Sequence, residues 1–124
     1  MNVVGQVAAG VAALVHVLFF ALESVWFSRP AVYKRFLVAP QEVEAVRPMA
    51  FNQGFYNLFL AVGVVGGLIA ASTGSPTVGR TLILFACGCM ALAGVVLIST
   101  DRRFARAALV QILPPAVVFA AALV

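Results

Sequence analysis

Seven polar side chains fall within hydrophobic stretches of the sequence, where they could do chemistry. One is a histidine, one a glutamate, one a tyrosine and four are amides: His16, Glu23, Asn52, Gln53, Tyr56, Asn57 and Gln111. A polar or ionisable group placed in hydrocarbon is unfavourable unless it meets another such group, water or a ligand. The pattern therefore predicts an intramembrane polar binding site formed by these residues.

The spacing of these residues groups them on helix faces. His16 and Glu23 are seven residues apart and share a face. At about 1.5 Å per residue they are too far apart along the axis for direct contact. In the next hydrophobic stretch the polar residues recur four apart, as Asn52 with Tyr56 and Gln53 with Asn57. Matching depths predicts one cytoplasmic-side cavity, with His16 at its deep end and the following residues converging in it: Glu23, Asn52, Gln53, Asn57 and Gln111.

Glu23 is the strongest candidate for function because it is a carboxyl group inside a predicted span. Such a group either takes up a proton or finds a cationic partner. Arg29 and Arg47 are close enough to the end of the span to pair with it by snorkelling. A proton- or ligand-binding acid and a structural ion pair are therefore both open.

Metals and cofactors are not expected. The chain has a single histidine, and its only aspartate is in a loop, so neither a zinc nor a haem site is supported. Cys87 and Cys89 point in different directions on a helix and cannot pair, so we interpret them as small apolar fillers. No soluble-enzyme motif is present.

Composition predicts the fold class. The 124 residues are 64% hydrophobic and 10% charged, and a mean hydropathy of +1.10 excludes a soluble domain of this size. Four stretches are each about 20 residues long, enough to span a bilayer as a helix. We predict an all-α protein, a four-transmembrane-helix bundle forming a single integral membrane domain over 1–124, with helices at about 3–27, 49–71, 79–99 and 104–124.

The basic residues indicate an orientation. Seven lie in the first and third loops and only Arg80 lies near the second. The positive-inside rule then places residues 28–48 and 100–106 in the cytoplasm and both termini outside. The net charge of +4 therefore does not indicate nucleic-acid binding.

Two segments contain prolines that bear on the site. The first loop, from Pro30 to Pro48, is either a short interfacial helix interrupted at Pro40 or a solvated connector. Pro114 and Pro115 lie in mid-span, where they leave backbone carbonyls without donors and predict a kink beside Gln111.

Two motifs carry a family resemblance. The first is HxxFxxLExxW, from His16 to Trp26, and the second is NQGxYNxFLA, from Asn52 to Ala61. With these motifs the chain resembles a family of small bacterial four-helix integral membrane proteins of unknown function, over nearly its whole length. The resemblance implies a four-helix membrane bundle in a bacterial plasma membrane and supplies no activity.

Three functions remain open from the residues. The first is a small transporter or small-molecule-binding protein with a polar site around Glu23, for which small multidrug transporters offer a partial analogy. The second is a membrane-embedded enzyme acting on a lipophilic substrate, with Glu23 and His16 as acid and base. The third is a structural or accessory subunit. The expected partners are the lipid bilayer and a small lipophilic or cationic ligand; a homo-oligomer is open, and nucleic acid is not expected.

Overall fold

The computed structural model describes all residues, 1–124, and is 88% helical with no strand. Its α-helices are α1 (Val3–Phe20), α2 (Pro30–Tyr33), α3 (Val43–Ser72), α4 (Pro76–Thr100) and α5 (Ala105–Ala122). A π-helical turn, Ala21–Val25, extends α1, and the 3-10 turns are Lys34–Phe36, Pro40–Glu42 and Arg102–Phe104. Four of the helical stretches are long and apolar enough to cross a membrane, so the predicted all-α, multi-pass membrane fold is confirmed.

The helix bounds differ from those expected mainly at prolines. Helix α3 begins at Val43 rather than Met49 and runs through Pro48. Pro48 is exposed, so water can satisfy the carbonyl that its missing N–H leaves open. Helix α4 begins at Pro76 rather than Gly79, since proline suits the first helical position. Helix α5 continues through Pro114 and Pro115 without ending.

The chain forms two compact units, of which the first comprises Met1–Val15 and Leu60–Val124. Its core consists largely of small side chains, and the buried members are Ala8, Ala9, Ala12, Ala13, Ala61, Val64, Ile83, Ala86, Cys87, Met90 and Val118. Cys87 is a free, buried thiol within this core, which agrees with its interpretation as a small apolar filler. Small residues allow membrane helices to approach closely and gain van der Waals contacts. These contacts hold the helices together, because the hydrophobic effect does not drive helix association within lipid.

A close backbone-to-backbone approach in this unit joins α3 to α4 at two glycines. A Cβ placed on Gly79 would lie 2.5 Å from the carbonyl oxygen of Gly67 and 2.6 Å from the backbone nitrogen of Ala71. A Cβ on Gly67 would lie 2.9 Å from the carbonyl oxygen of Gly79. Only glycine at both positions allows the two backbones to come this close.

The second unit, His16–Phe59, contains the end of α1, the connector (residues 26–42) and the first half of α3. Phe27, Tyr33 and Val43 are buried together, and Phe36 and Val38 pack against them. The connector thus packs several of its apolar side chains onto this unit, while most of its other residues are exposed. The choice between an interfacial helix and a solvated connector stays a prediction. Leu37 ends its 3-10 turn with a φ of 59°, a left-handed conformation that side-chain-bearing residues adopt rarely.

Candidate functional site

Glu23 lies in the π-helical turn that follows α1. The backbone N–H of Trp26 donates to the carbonyl oxygen of Ala21 over 2.8 Å, five residues back instead of four. This wider turn shifts the register of the side chains around Glu23 relative to a regular α-helix. Single π turns inside membrane or soluble helices often occur at functional sites. The sequence predicted a regular helix here, and no proline or glycine in the turn marks the irregularity.

A buried amide holds the Glu23 carboxyl group. Asn57 Nδ2 donates to Glu23 Oε1 over 2.8 Å, and Asn57 is only 6% exposed. This hydrogen bond joins the π turn to α3 across 34 positions of sequence. The convergence of Glu23 with Asn57, which depth matching predicted, is present in the structure.

The two arginines considered as partners of Glu23 are engaged elsewhere. The guanidinium carbon of Arg29 lies 5.4 Å from the centre of the Trp26 ring, in a cation–π arrangement. Arg47 lies 3.8 Å from the carboxylate of Glu44, one turn away on α3. The structure therefore forms no ion pair at Glu23, and the amide of Asn57 takes that place.

Gly54 allows α1 and α3 to meet at this level. A Cβ on Gly54 would collide with the Ser24 hydroxyl and lie 3.1 Å from the carbonyl oxygen of Phe20. The Ser24 hydroxyl donates to the carbonyl oxygen of Phe51 over 2.7 Å, which fastens the π turn to α3. The Phe20 and Phe55 rings meet edge to face, with centroids 5.1 Å apart. The glycine between Gln53 and Phe55 thus sets the helix approach that brings Asn57 to Glu23.

A cavity of about 300 Å³ opens beside Glu23. Its wall combines the end of the first span, the connector and the start of α3, with these lining residues: Glu23, Phe27, Phe36, Val38, Val46, Met49, Ala50 and Gln53. The carboxyl group of Glu23 and the amide of Gln53 are its polar side chains, and the remaining lining is apolar. Such a cavity suits a small amphiphilic ligand whose polar end meets the carboxyl group.

The other predicted site residues take different positions. Asn52 and Tyr56 are exposed on α3, and neither lines the cavity. His16 is fully buried, with its ring edge-on to Phe19 at 5.7 Å between centroids, and it is also absent from the lining. Gln111 is half-buried on α5, in the first unit. Their assignment to a binding site stays a prediction.

Sequence reasoning missed the apolar wall that the connector supplies. Phe27, Phe36 and Val38 line the cavity and belong to the buried or packed residues of the second unit. The available signal was the presence of large apolar residues among the charges of the first loop. That signal was assigned to a membrane surface or to solvent, because a sequence does not show that the loop folds back on its own helices.

Comparison with known proteins agrees with the resemblance of the sequence. No curated protein and no solved structure matches the chain significantly. A protein-family model matches residues 10–123, which include every candidate site residue, and its description is "Protein of unknown function (DUF1304)". The chain belongs to the DUF1304 family of proteins of unknown function.

Proposed function

We propose that the protein binds a small lipophilic ligand bearing a cationic or hydrogen-bond-donating group in the cavity at Glu23, as a small membrane transporter or small-molecule-binding protein. One observation carries the proposal: the carboxyl group that Asn57 holds also lines a cavity of about 300 Å³. A carboxyl group that served only to join helices would need no such cavity.

The chemistry of the site favours this class of ligand. Asn57 engages Glu23 Oε1 and fixes the orientation of the carboxyl group, while no protein group donates to Oε2. A ligand N–H can therefore donate to Oε2, and a positive charge there would supply the counterion that the protein does not provide. The apolar wall, with Phe27 and Phe36, would contact the hydrocarbon part. The volume is at the lower end of the range for small-molecule sites, so the ligand is small.

Binding can be followed through Trp26, the single tryptophan of the chain, which is 37% exposed and adjoins Phe27 of the cavity wall. The purified protein in lipid nanodiscs is titrated with octylammonium, and tryptophan fluorescence is recorded against empty nanodiscs and against neutral octanol. We expect saturable octylammonium binding that Glu23→Gln weakens about tenfold, the loss of roughly one charge-assisted hydrogen bond.

Glu44→Gln is the matched control, because it removes the same charge from an exposed carboxylate on α3. It should leave octylammonium binding unchanged, and octanol should not distinguish any of the proteins. Equal octylammonium affinity in wild type and Glu23→Gln would overturn the proposal. Uptake of octylammonium into reconstituted vesicles distinguishes transport from binding alone. A transporter would take up octylammonium as wild type and not as Glu23→Gln.

We also infer that this site lies toward the cytoplasm, with both termini outside, because seven of the eight basic residues belong to the first and third loops. Lys34→Cys and Ser75→Cys, each made in a Cys87→Ala, Cys89→Ala background, report the two sides. A membrane-impermeant maleimide should label position 75 and not position 34 in intact cells; the reverse would refute the orientation. Location in a bacterial plasma membrane rests on the family resemblance and stays a prediction.

A further inference from the structure

A second cavity, within the first unit, has a volume of about 220 Å³ and contains a basic side chain. Its polar side chains are those of Arg80, Gln6 and Ser72. Its apolar lining includes Leu68, Ala71 and Ile83. Arg80 directly follows Gly79, whose close approach to Gly67 fixes the start of α4 against the end of α3. The cavity therefore adjoins this close helix contact.

Arg80 has no carboxylate partner in the structure. The only acidic residue of the first unit is Asp101, and its carboxylate is bound by Arg103 through Nε and Nη2, at 3.1 and 2.8 Å. Arg80 makes one hydrogen bond, from Nη2 to the carbonyl oxygen of Ala122 over 2.8 Å. A guanidinium carries five N–H donors, so most of those of Arg80 remain available.

The other polar groups of this cavity are held in place while keeping hydrogen-bonding capacity. Gln6 Nε2 donates to the carbonyl oxygen of Met1 over 2.9 Å, which leaves a second amide proton. The Ser72 hydroxyl donates to the carbonyl oxygen of Ile69 over 2.9 Å, which leaves it as an acceptor. A planar guanidinium with amide N–H nearby is suited to an oxyanion, and the apolar side chains are suited to hydrocarbon.

We propose that the Arg80 cavity binds the phosphate group of an anionic amphiphile, with Arg80 as the counterion, Gln6 as a further donor and the hydrocarbon of the ligand along Leu68 and Ile83. The site lies in the first unit and uses none of the residues at Glu23, so it stands or falls separately from the proposed function. A free phosphate ion offers the same head-group chemistry without the hydrocarbon, and the experiment must separate the two sources.

The test measures lipid binding to the purified full-length protein in detergent by native mass spectrometry and by thermal shift. The probes are dihexanoylphosphatidylglycerol, dihexanoylphosphatidylcholine and inorganic phosphate. We expect wild type to bind one phosphatidylglycerol about tenfold more tightly than phosphatidylcholine, because only the former carries a net charge for Arg80 to neutralise. Arg80→Gln should abolish this preference, and Arg106→Gln, an equal change of charge at an exposed arginine of the same unit, should keep it.

A purely structural role predicts something different, because Arg80 also caps the end of α5 through Ala122. In that case Arg80→Gln would lower thermal stability equally with every lipid and leave the preference for phosphatidylglycerol intact, which would overturn the proposal. Leu68→Phe, which narrows the cavity while retaining Arg80, tests the site without losing the cap and should weaken phosphatidylglycerol binding. Protection by inorganic phosphate equal to that by the lipid would refute the requirement for an amphiphile.

Discussion

The two units of this protein hold their helices together with different kinds of residue. In the first unit the helices meet through alanines and glycines, and the backbones at Gly67 and Gly79 are nearly in contact. In the second unit the contacts are made by aromatic rings, by the Ser24 hydroxyl and by the amide of Asn57 on Glu23. The first unit thus depends on the absence of side-chain volume, whereas the second combines one such glycine, Gly54, with directed polar and aromatic contacts.

The two units also differ in what surrounds their cavities. In the first unit, backbone packing fills the glycine contact itself with van der Waals interactions, and the cavity at Arg80 lies beside that contact. In the second unit the cavity lies beside Glu23, among aromatic rings and next to the π turn. The comparison predicts that mutations adding volume harm the first unit most, while mutations removing a hydrogen bond harm the second.

The largest effect is expected from Gly79→Val in the first unit. Its side chain would overlap the carbonyl oxygen of Gly67, and overpacking of this kind destabilises by about 3 kcal/mol. Unfolding by sodium dodecyl sulfate from a mild detergent measures the change. Gly66→Ala is the control, since a Cβ there meets nothing within 4 Å, and it should not destabilise. Equal stability of Gly79→Val and wild type would disprove the close-packing account.

A smaller effect, about 2 kcal/mol, is expected from Asn57→Leu in the second unit. The substitution removes a hydrogen bond between helices and leaves the Glu23 carboxyl group without its donor. Asn52→Leu is the matched control on the same helix, because Asn52 is exposed, and its effect should stay within about 0.5 kcal/mol. A double-mutant cycle of Asn57→Leu with Glu23→Gln should give a coupling of about 1 kcal/mol. Zero coupling would show that the contact contributes nothing.

Gly54→Ala should destabilise by about 1 kcal/mol, less than the changes above, because one of the groups it meets is a single small side chain. Adding Ser24→Gly removes both Ser24 atoms that the new methyl group would meet. Because Ser24→Gly also loses the hydrogen bond to the Phe51 carbonyl oxygen, recovery is judged against Ser24→Gly alone, and Gly54→Ala should cost less stability in that background than in wild type. The same unfolding assay measures both variants. No recovery in the double variant would indicate that the backbone of Phe20, rather than Ser24, limits the approach.

The sequence predicted the membrane fold from properties that do not depend on tertiary contacts. Hydropathy and length are enough to identify four spans, because lipid forces each span to satisfy its own backbone. Depth counting also placed Asn57 in the same cytoplasmic half as Glu23, about one turn deeper, and the hydrogen bond between them agrees with the predicted convergence. The close approach of Gly67 to Gly79 is seen only in the structure.

What the sequence could not predict depends on direction around a helix and on non-local folding. A π turn at Glu23 changes the side-chain register by one residue, which no periodicity in the run from Ala21 to Val25 reveals. Asn52 shares the depth of Gln53 but is exposed and lies outside the cavity lining, because depth does not specify rotation about the axis. The burial of Tyr33 and Phe27 requires the connector to fold back, a contact that no local pattern encodes.

The smallest effect is expected outside the spans, at Asp101. Hydrogen bonds from the Arg103 side chain hold the pKa of the Asp101 carboxyl group below its ordinary value of 3.8. Because the folded pKa lies below the unfolded one, this pair contributes fully above the unfolded pKa, and its contribution is lost as the pH falls through the folded pKa. Asp101→Asn should therefore lower stability slightly at neutral pH and approach wild type in acid.

Asparagine can still accept the backbone N–H of Arg103, which Asp101 Oδ1 binds over 2.9 Å, so the variant isolates the charge from the cap. Melting temperatures of both proteins in detergent, from neutral pH down to about pH 3, measure the difference. High salt should reduce it, because exposed ion pairs are screened and weak. Parallel pH profiles would show that the pair does not stabilise the fold. If Asp101→Asn destabilised the protein more than Asn57→Leu does, a solvent-facing ion pair would contribute more stability than a buried contact between helices. That result would contradict the ranking of the two units given above.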